Sequence, residues 1–286
     1  MVSIVKLIFP YPEPPEYNLK TPDLYFIKAG ETGESTSPQR GRLPIFFLRL
    51  SQKWNSLLIY FHGNAEDAGS SLSMFAEIGE RLKANIAVVE YPKYGVYKGA
   101  ELSEEQIYKD ALEVYDFFVR DAGFRPENVI VFGRSIGTGP ATYLAAKRRC
   151  RFLILFSPYL NIKKVAMEKT FLAFFTRNIF SNDKYIEEVH DPVYILHGRR
   201  DDVISFSHGE ALHRMLVRRN IFTKFVAPDE MTHNLFDFEN DLMATLQAFN
   251  DSILKQKNPF QINPNEQSPR WDFIERFRVS PRRISF

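Results

Sequence analysis

Gly133-Arg134-Ser135-Ile136-Gly137 sets a serine in the pattern G-x-S-x-G. The apolar run Val129-Ile130-Val131-Phe132 leads into it, and a helical pattern over 136–147 leads out. A serine on a sharp strand-to-helix turn presents its hydroxyl, and the flanking glycines let strand and helix pack closely. The chemistry this suits is nucleophilic attack on an acyl carbonyl. Phosphate-binding loops do not fit, because no lysine follows the last glycine and G-x-G-x-x-G is absent at this turn.

A serine nucleophile needs a base, and the base needs an orienting carboxylate. On a doubly wound sheet with such a turn, the chain order is serine, then acid, then histidine. The six histidines are His62, His190, His197, His208, His213 and His233. His62 precedes the serine. His190 comes just before an apolar run, His197 sits at the end of that run in a structural position, and His208 and His213 fall in a helical pattern. His233, in Met231-Thr232-His233-Asn234, follows the last short apolar run and is the expected base. The acid should follow Val193-Tyr194-Ile195-Leu196, where His197-Gly198-Arg199-Arg200-Asp201-Asp202 offers two adjacent aspartates. The H-G-x-x-D spacing selects Asp201, with Asp202 as the alternative. Asp229 and Glu230 lie in the loop of His233 and are weaker candidates. His208 and His213 do not share a helix face as an i, i+4 metal pair would, so neither a metal nor a cofactor is expected.

Acyl cleavage also builds an oxyanion, which needs preorganised N–H donors. Ile136, directly after the serine, is the first expected donor. The second should come from His62-Gly63-Asn64-Ala65, the loop after Leu57-Leu58-Ile59-Tyr60-Phe61, with Asn64 ahead of Ala65.

The elements that must hold these residues follow from pattern. Leu24–Lys28 and the run 45–50 read as an antiparallel pair. The continuous apolar runs 57–61, 86–91, 129–132, 152–156, 193–196 and 224–226 read as parallel strands covered on both faces. Helical spacing falls between them, over 71–82, 136–147, 207–217 and 240–255. It is clearest after Ser103, where Gln106 completes a capping box and Ile107, Ala111, Val114, Tyr115 and Phe118 follow. Strand-helix alternation of this length predicts an α/β fold with a mostly parallel central sheet and helices on both faces.

Composition agrees with this organisation. With 286 residues, 44% hydrophobic and 25% charged, the chain can bury one large core. A net charge of +2 does not suggest a nucleic-acid partner. The single cysteine, Cys150, excludes an internal disulfide and favours a reducing compartment. No apolar run approaches the roughly 20 residues of a membrane-spanning helix. The opening segment lacks the features of a signal peptide or a myristoylation site. Five prolines over 10–22 mark residues 1–22 as an extended arm, 23–255 as the catalytic domain, and 256–286 as a basic tail. That tail carries Arg270, Arg276, Arg278, Arg282 and Arg283 and need not pack in the main core, although Trp271, Phe273, Ile274 and Phe277 could dock locally.

Four segments carry a resemblance. They are His62-Gly63-Asn64-Ala65-Glu66-Asp67, Gly133 to Pro140, His197-Gly198-Arg199-Arg200-Asp201-Asp202-Val203-Ile204-Ser205-Phe206-Ser207-His208-Gly209, and His233-Asn234. With them the chain resembles the α/β-hydrolase-domain protein depalmitoylases of the family-seventeen type, from about Leu7 to Lys255. The resemblance implies the α/β-hydrolase fold, the triad Ser135, Asp201 and His233, and acyl thioester cleavage on S-acylated proteins. General carboxylesters or monoacylglycerols are the alternative substrates, and an inactive hydrolase used as a binding module is the non-enzyme alternative. The resemblance also implies a cytoplasmic protein, with peripheral membrane contact as a further option. That group opens with a cysteine cluster that has no counterpart here, and it usually has Gly at position 232 and Gln at position 134. By resemblance to the fold, a cap forms over about 158–191, where Phe171, Phe174 and Phe175 would line an acyl-chain site.

Overall fold

The computed structural model describes residues 10–28, 42–169, 179–256 and 268–279. They divide into two compact units, one running up to Asn128 and including the segment from Ser268, the other beginning at Val129.

In the first unit, β1 (Leu24–Lys28) and β2 (Arg42–Leu48) pair antiparallel, with Leu24 opposite Phe46. The chain continues through β3 (Ser56–Phe61), α1 (Leu72–Leu82) and β4 (Ala84–Val89). β2 lies antiparallel to β4 and β3 lies parallel to it, giving the order β1-β2-β4-β3. Every residue of β4 is buried, and so is every residue of β3 after Ser56, as continuous apolar runs demand of strands covered on both faces. Residues 10–22 form neither helix nor strand, yet Tyr17 is buried and donates its hydroxyl to Glu90 Oε2 at 2.7 Å.

α2 (Glu104–Asp116) starts as the sequence predicts, with Ser103 Oγ accepting the Gln106 N–H at 3.1 Å. Only half of the capping box forms, because Gln106 turns its side chain to Asp110 Oδ1 at 2.7 Å. Tyr97 donates to the other Asp110 oxygen at 3.2 Å. Burial pushes the Asp110 carboxyl up to about 7, against the opposing pull of these two donors. The folded state therefore holds this proton more tightly than the unfolded chain, whose aspartates titrate near 4. The stability linked to Asp110 is complete below pH ~4, is lost as pH rises from ~4 to ~7, and stays lost above that. Urea unfolding across that window should show a loss on the order of a few kcal/mol in the natural protein. The same slope should be much smaller in Asp110→Asn; equal slopes would refute the assignment.

Residues 268–279 dock locally, the option that their aromatic and apolar side chains left open. A short helix, Trp271–Glu275, places Ile274 in the core and sets Trp271 against Phe124, with ring centroids 5.7 Å apart. Phe273 and Phe277 pack on Phe117 at 5.6 and 5.0 Å. The chain then runs along β1, where the Phe26 N–H donates to the Phe277 carbonyl at 3.0 Å and the Val279 N–H to the Leu24 carbonyl at 2.8 Å. An edge strand exposes unpaired backbone groups, and this segment covers part of that edge.

In the second unit, β5 (Val129–Arg134), β6 (Phe152–Phe156), β7 (Val193–Leu196) and β8 (Thr223–Val226) pair parallel in that order. The connections carry α3 (Thr138–Lys147), α4 (Ile162–Lys169) and α5 (Phe206–Arg218), and α6 (Ala244–Gln256) follows β8. Two helices start differently from the pattern. A 3₁₀ turn, Ser135–Gly137, precedes α3 because the strand must turn sharply there. A π-helical turn, Phe238–Met243, precedes α6, with the Asp237 carboxylate accepting the N–H groups of Glu239 and Asn240. Among the described residues no helix is long and apolar enough to cross a membrane.

Candidate active site

β5 delivers Ser135 into the left-handed region, at φ 52°. A non-glycine residue is strained there, and strain of this kind is kept where a side chain must be aimed. The turn is tight enough that a Cβ on Gly133 would collide with the Gly137 carbonyl and stand 2.7 Å from Ala141 Cβ. Here glycine is required for space. Two buried hydroxyls brace the turn, as Thr138 donates to the Ser135 carbonyl at 2.7 Å and Tyr159 to the Ile136 carbonyl at 3.0 Å.

His233 lies in the loop after β8, buried, with Nε2 3.0 Å from Ser135 Oγ. Its Nδ1 lies 2.8 Å from Asp201 Oδ2 and 3.1 Å from Oδ1. A carboxylate only accepts, so Nδ1 carries the proton and Nε2 is free to accept from the serine. Asp201 comes from the loop after β7. Its Oδ1 also accepts the N–H groups of Val203 at 3.0 Å and Ile204 at 2.8 Å. The neighbouring Asp202 is exposed. Gly198 explains how the two loops meet, since a Cβ there would run into the Met231 carbonyl. Without one, the Arg199 N–H reaches the Pro228 carbonyl at 3.0 Å and the Arg200 N–H the Met231 carbonyl at 3.1 Å.

His197, read from sequence as structural, also faces the acid. Its Nε2 is 3.3 Å from Asp201 Oδ2 and 3.0 Å from the Ile204 carbonyl, so this nitrogen carries the proton. Burial favours a neutral Asp201. The hydrogen bonds from His197 and His233, the electrostatic attraction of the His233 ring and the Ile204 N–H outweigh it and hold the carboxyl well below the usual carboxylate range. The first letter of H-G-x-x-D was the signal for this contact, since it sets His197 four residues before Asp201.

Asn64 belongs to the first unit, in the loop after β3. Its Oδ1 accepts from the Tyr94 hydroxyl at 3.1 Å, and Ala65 beside it has φ 60°. The loop is anchored by His62, whose Nδ1 lies 2.9 Å from the Gly63 carbonyl and whose Nε2 lies 3.0 Å from Glu90 Oε1. Burial opposes a charge on this ring, but the Glu90 hydrogen bond and charge prevail and raise its pKa. Both ring nitrogens face acceptors, which suits an imidazolium. His62 is thus placed to shape its loop, a role that chain order alone did not suggest.

Phe171, Phe174 and Phe175 lie outside the described residues. A cleft of about 700 Å³ beside the His233 loop is lined by Met231, Leu235 and Phe236 and by carboxylates that include Asp229, Glu230 and Asp237. Neither Ser135 nor His233 lines it. Among the described residues no group of three or more His, Cys, Asp or Glu could hold a metal ion.

No family model matches the chain. It is 35% identical over 192 residues to α/β hydrolase domain-containing protein 17C of Mus musculus, covering 67% of this chain and 59% of that protein. It is 37% identical over 171 residues to protein 17B of Homo sapiens, covering 60% of this chain and 59% of the relative. The chain thus spans about three fifths of the length of these relatives. Among solved structures, an esterase of Pyrococcus furiosus superposes with a TM-score of 0.59 at 15% identity, over 75% of this chain and 85% of the other. An α/β hydrolase of Vibrio vulnificus gives 0.58 at 18% identity, over 82% and 81%.

Proposed function

We propose, from the premise that this chain is an α/β hydrolase related to the domain-containing proteins 17B and 17C, that it is a serine hydrolase cleaving acyl thioesters or esters, with S-acylated proteins as its substrates. The observation that carries the reading is the continuous chain of contacts from Ser135 Oγ through His233 to the Asp201 carboxylate. Serine, base and orienting acid in that sequence make up a working acyl-transfer unit.

In this mechanism Ser135 Oγ attacks the acyl carbonyl while His233 Nε2 takes its proton. The tetrahedral intermediate collapses, the thiol or alcohol leaves with the proton from His233, and the acyl carbon remains bonded to Oγ. Water then attacks that ester, giving a proton to Nε2. The carboxylic acid departs, and Oγ regains a proton from His233. Asp201 keeps the imidazole in the required tautomer and stabilises it when charged. The Ile136 N–H serves as an oxyanion donor, with its peptide braced by Thr138 at the Ser135 carbonyl and the next peptide by Tyr159. Asn64 is assigned the second donor on sequence grounds.

Product analysis on a palmitoylated peptide against a glyceryl ester tests the substrate class. A higher kcat/KM on the peptide thioester supports the reading. Preference for the glyceryl ester would make the protein a carboxylesterase or monoacylglycerol-type lipase. Failure on both, with no labelling of folded protein by a fluorophosphonate, would make it a binding module.

A further inference from the structure

The contact between Ser135 and His233 exists only while Oγ carries its proton. In the acyl-enzyme that oxygen is esterified and has no proton to donate. His233 then loses one of its two side-chain partners at the step where it must take a proton from water. Asp201 still holds Nδ1, and the Arg199 and Arg200 N–H groups still hold the Pro228 and Met231 carbonyls of its loop, but none of these ties the loop to the nucleophile strand. The base needs a second tether that the chemistry does not break.

Arg134 directly precedes the nucleophile at the end of β5. Its guanidinium turns to the loop of the base, where Nη2 donates to the His233 carbonyl at 3.3 Å and to Asn234 Oδ1 at 2.9 Å. The guanidinium carbon stands 5.7 Å from the centre of the Phe156 ring. Phe156 packs edge-on against Phe236, two residues beyond Asn234, with centroids 4.9 Å apart. Arg134 therefore grips this loop by two hydrogen bonds, and Phe156 lies against both the guanidinium and the loop. None of these contacts uses Ser135 Oγ or His233 Nε2, so none is interrupted in the reaction cycle.

We propose that Arg134 is a positioning residue, tying the His233 loop to the nucleophile strand and keeping the base in place through deacylation. This rests on the serine mechanism above and goes beyond it, because it assigns the two half-reactions unequal dependence on one side chain.

The test is rapid-mixing kinetics with p-nitrophenyl butyrate, with every rate referred to the serines titrated by a fluorophosphonate. Arg134→Met removes the donor. Asn234→Ala removes its partner in an exposed loop and leaves the charge in place, so it stands if the first variant folds poorly. In each, the deacylation rate should fall about ten-fold, the scale of a modestly misplaced catalytic group. The acylation burst should slow by less than about three-fold, and KM should fall along with kcat. The double variant should be no worse than either single one, as expected of residues sharing one interaction. Deacylation unchanged in both variants, equal loss in both half-reactions, or additive losses would overturn the role. A natural protein that shows neither burst nor labelling would instead remove the serine mechanism, and this role with it.

Discussion

Ser135→Ala should retain the fold and lose on the order of 10³-fold or more of kcat, together with all labelling by a fluorophosphonate. The fold is expected to survive because alanine meets the same left-handed backbone at φ 52° that serine does, and the bracing bonds run to the backbone carbonyls of Ser135 and Ile136. What disappears is Oγ, the one atom that His233 Nε2 is placed to deprotonate. Ser135→Gly separates strain from chemistry. It should be equally inactive, and more stable than the alanine variant by about 1 kcal/mol, because glycine carries no penalty at positive φ. Urea unfolding and labelling of the two variants check this together. Residual hydrolysis by a homogeneous Ser135→Ala sample at more than a hundredth of the natural rate would rule out Ser135 as the nucleophile.

Asp201→Asn should lower kcat by about 10⁴-fold, whereas Asp202→Asn should stay within about three-fold of the natural protein. The first effect follows from the hydrogen-bond pattern. Oδ1 of Asp201 accepts two backbone N–H groups, so an asparagine must keep its carbonyl oxygen at that position. Its NH₂ then takes the place of Oδ2, 2.8 Å from His233 Nδ1. A donor there forces Nδ1 to accept, which moves the imidazole proton to Nε2 and turns the base away from its task. The same NH₂ would also oppose the proton on His197 Nε2, 3.3 Å from Oδ2. Asp202 is exposed and makes no such demand. Steady-state kinetics of the two variants, with folding checked by circular dichroism, decides between them. Equal losses would defeat the choice of Asp201 as the acid.

Most of the fold was legible in the sequence because its strands announce themselves. Parallel strands covered on both faces must be apolar throughout, and the runs at 57–61, 129–132, 152–156 and 193–196 all fall within strands. The serine turn was legible for a similarly local reason. G-x-S-x-G lies within one strand-to-helix corner, and the collision that a side chain on Gly133 would meet involves Gly137 and Ala141 a few residues away.

Long-range contacts were a different matter. The H-G-x-x-D spacing selects Asp201, but the contact that sets its carboxylate against His233 depends on two loops meeting where Gly198 admits the Met231 carbonyl, positions more than thirty residues apart. The imidazolium setting of His62 depends on Glu90, which lies in no recognisable motif. Local docking of residues 268–279 was open from their aromatic side chains, but where they dock depends on the rings of Phe117 and Phe124 and on backbone bonds to β1. Arg134 belongs to the serine motif only as its variable letter, yet folding brings it against a loop a hundred residues later. Local periodicity and turn chemistry are written in neighbouring residues, so sequence determined the elements and the nucleophile corner. Which side chains share a hydrogen bond across those elements was decided only when tertiary packing brought distant loops within 3 Å of each other.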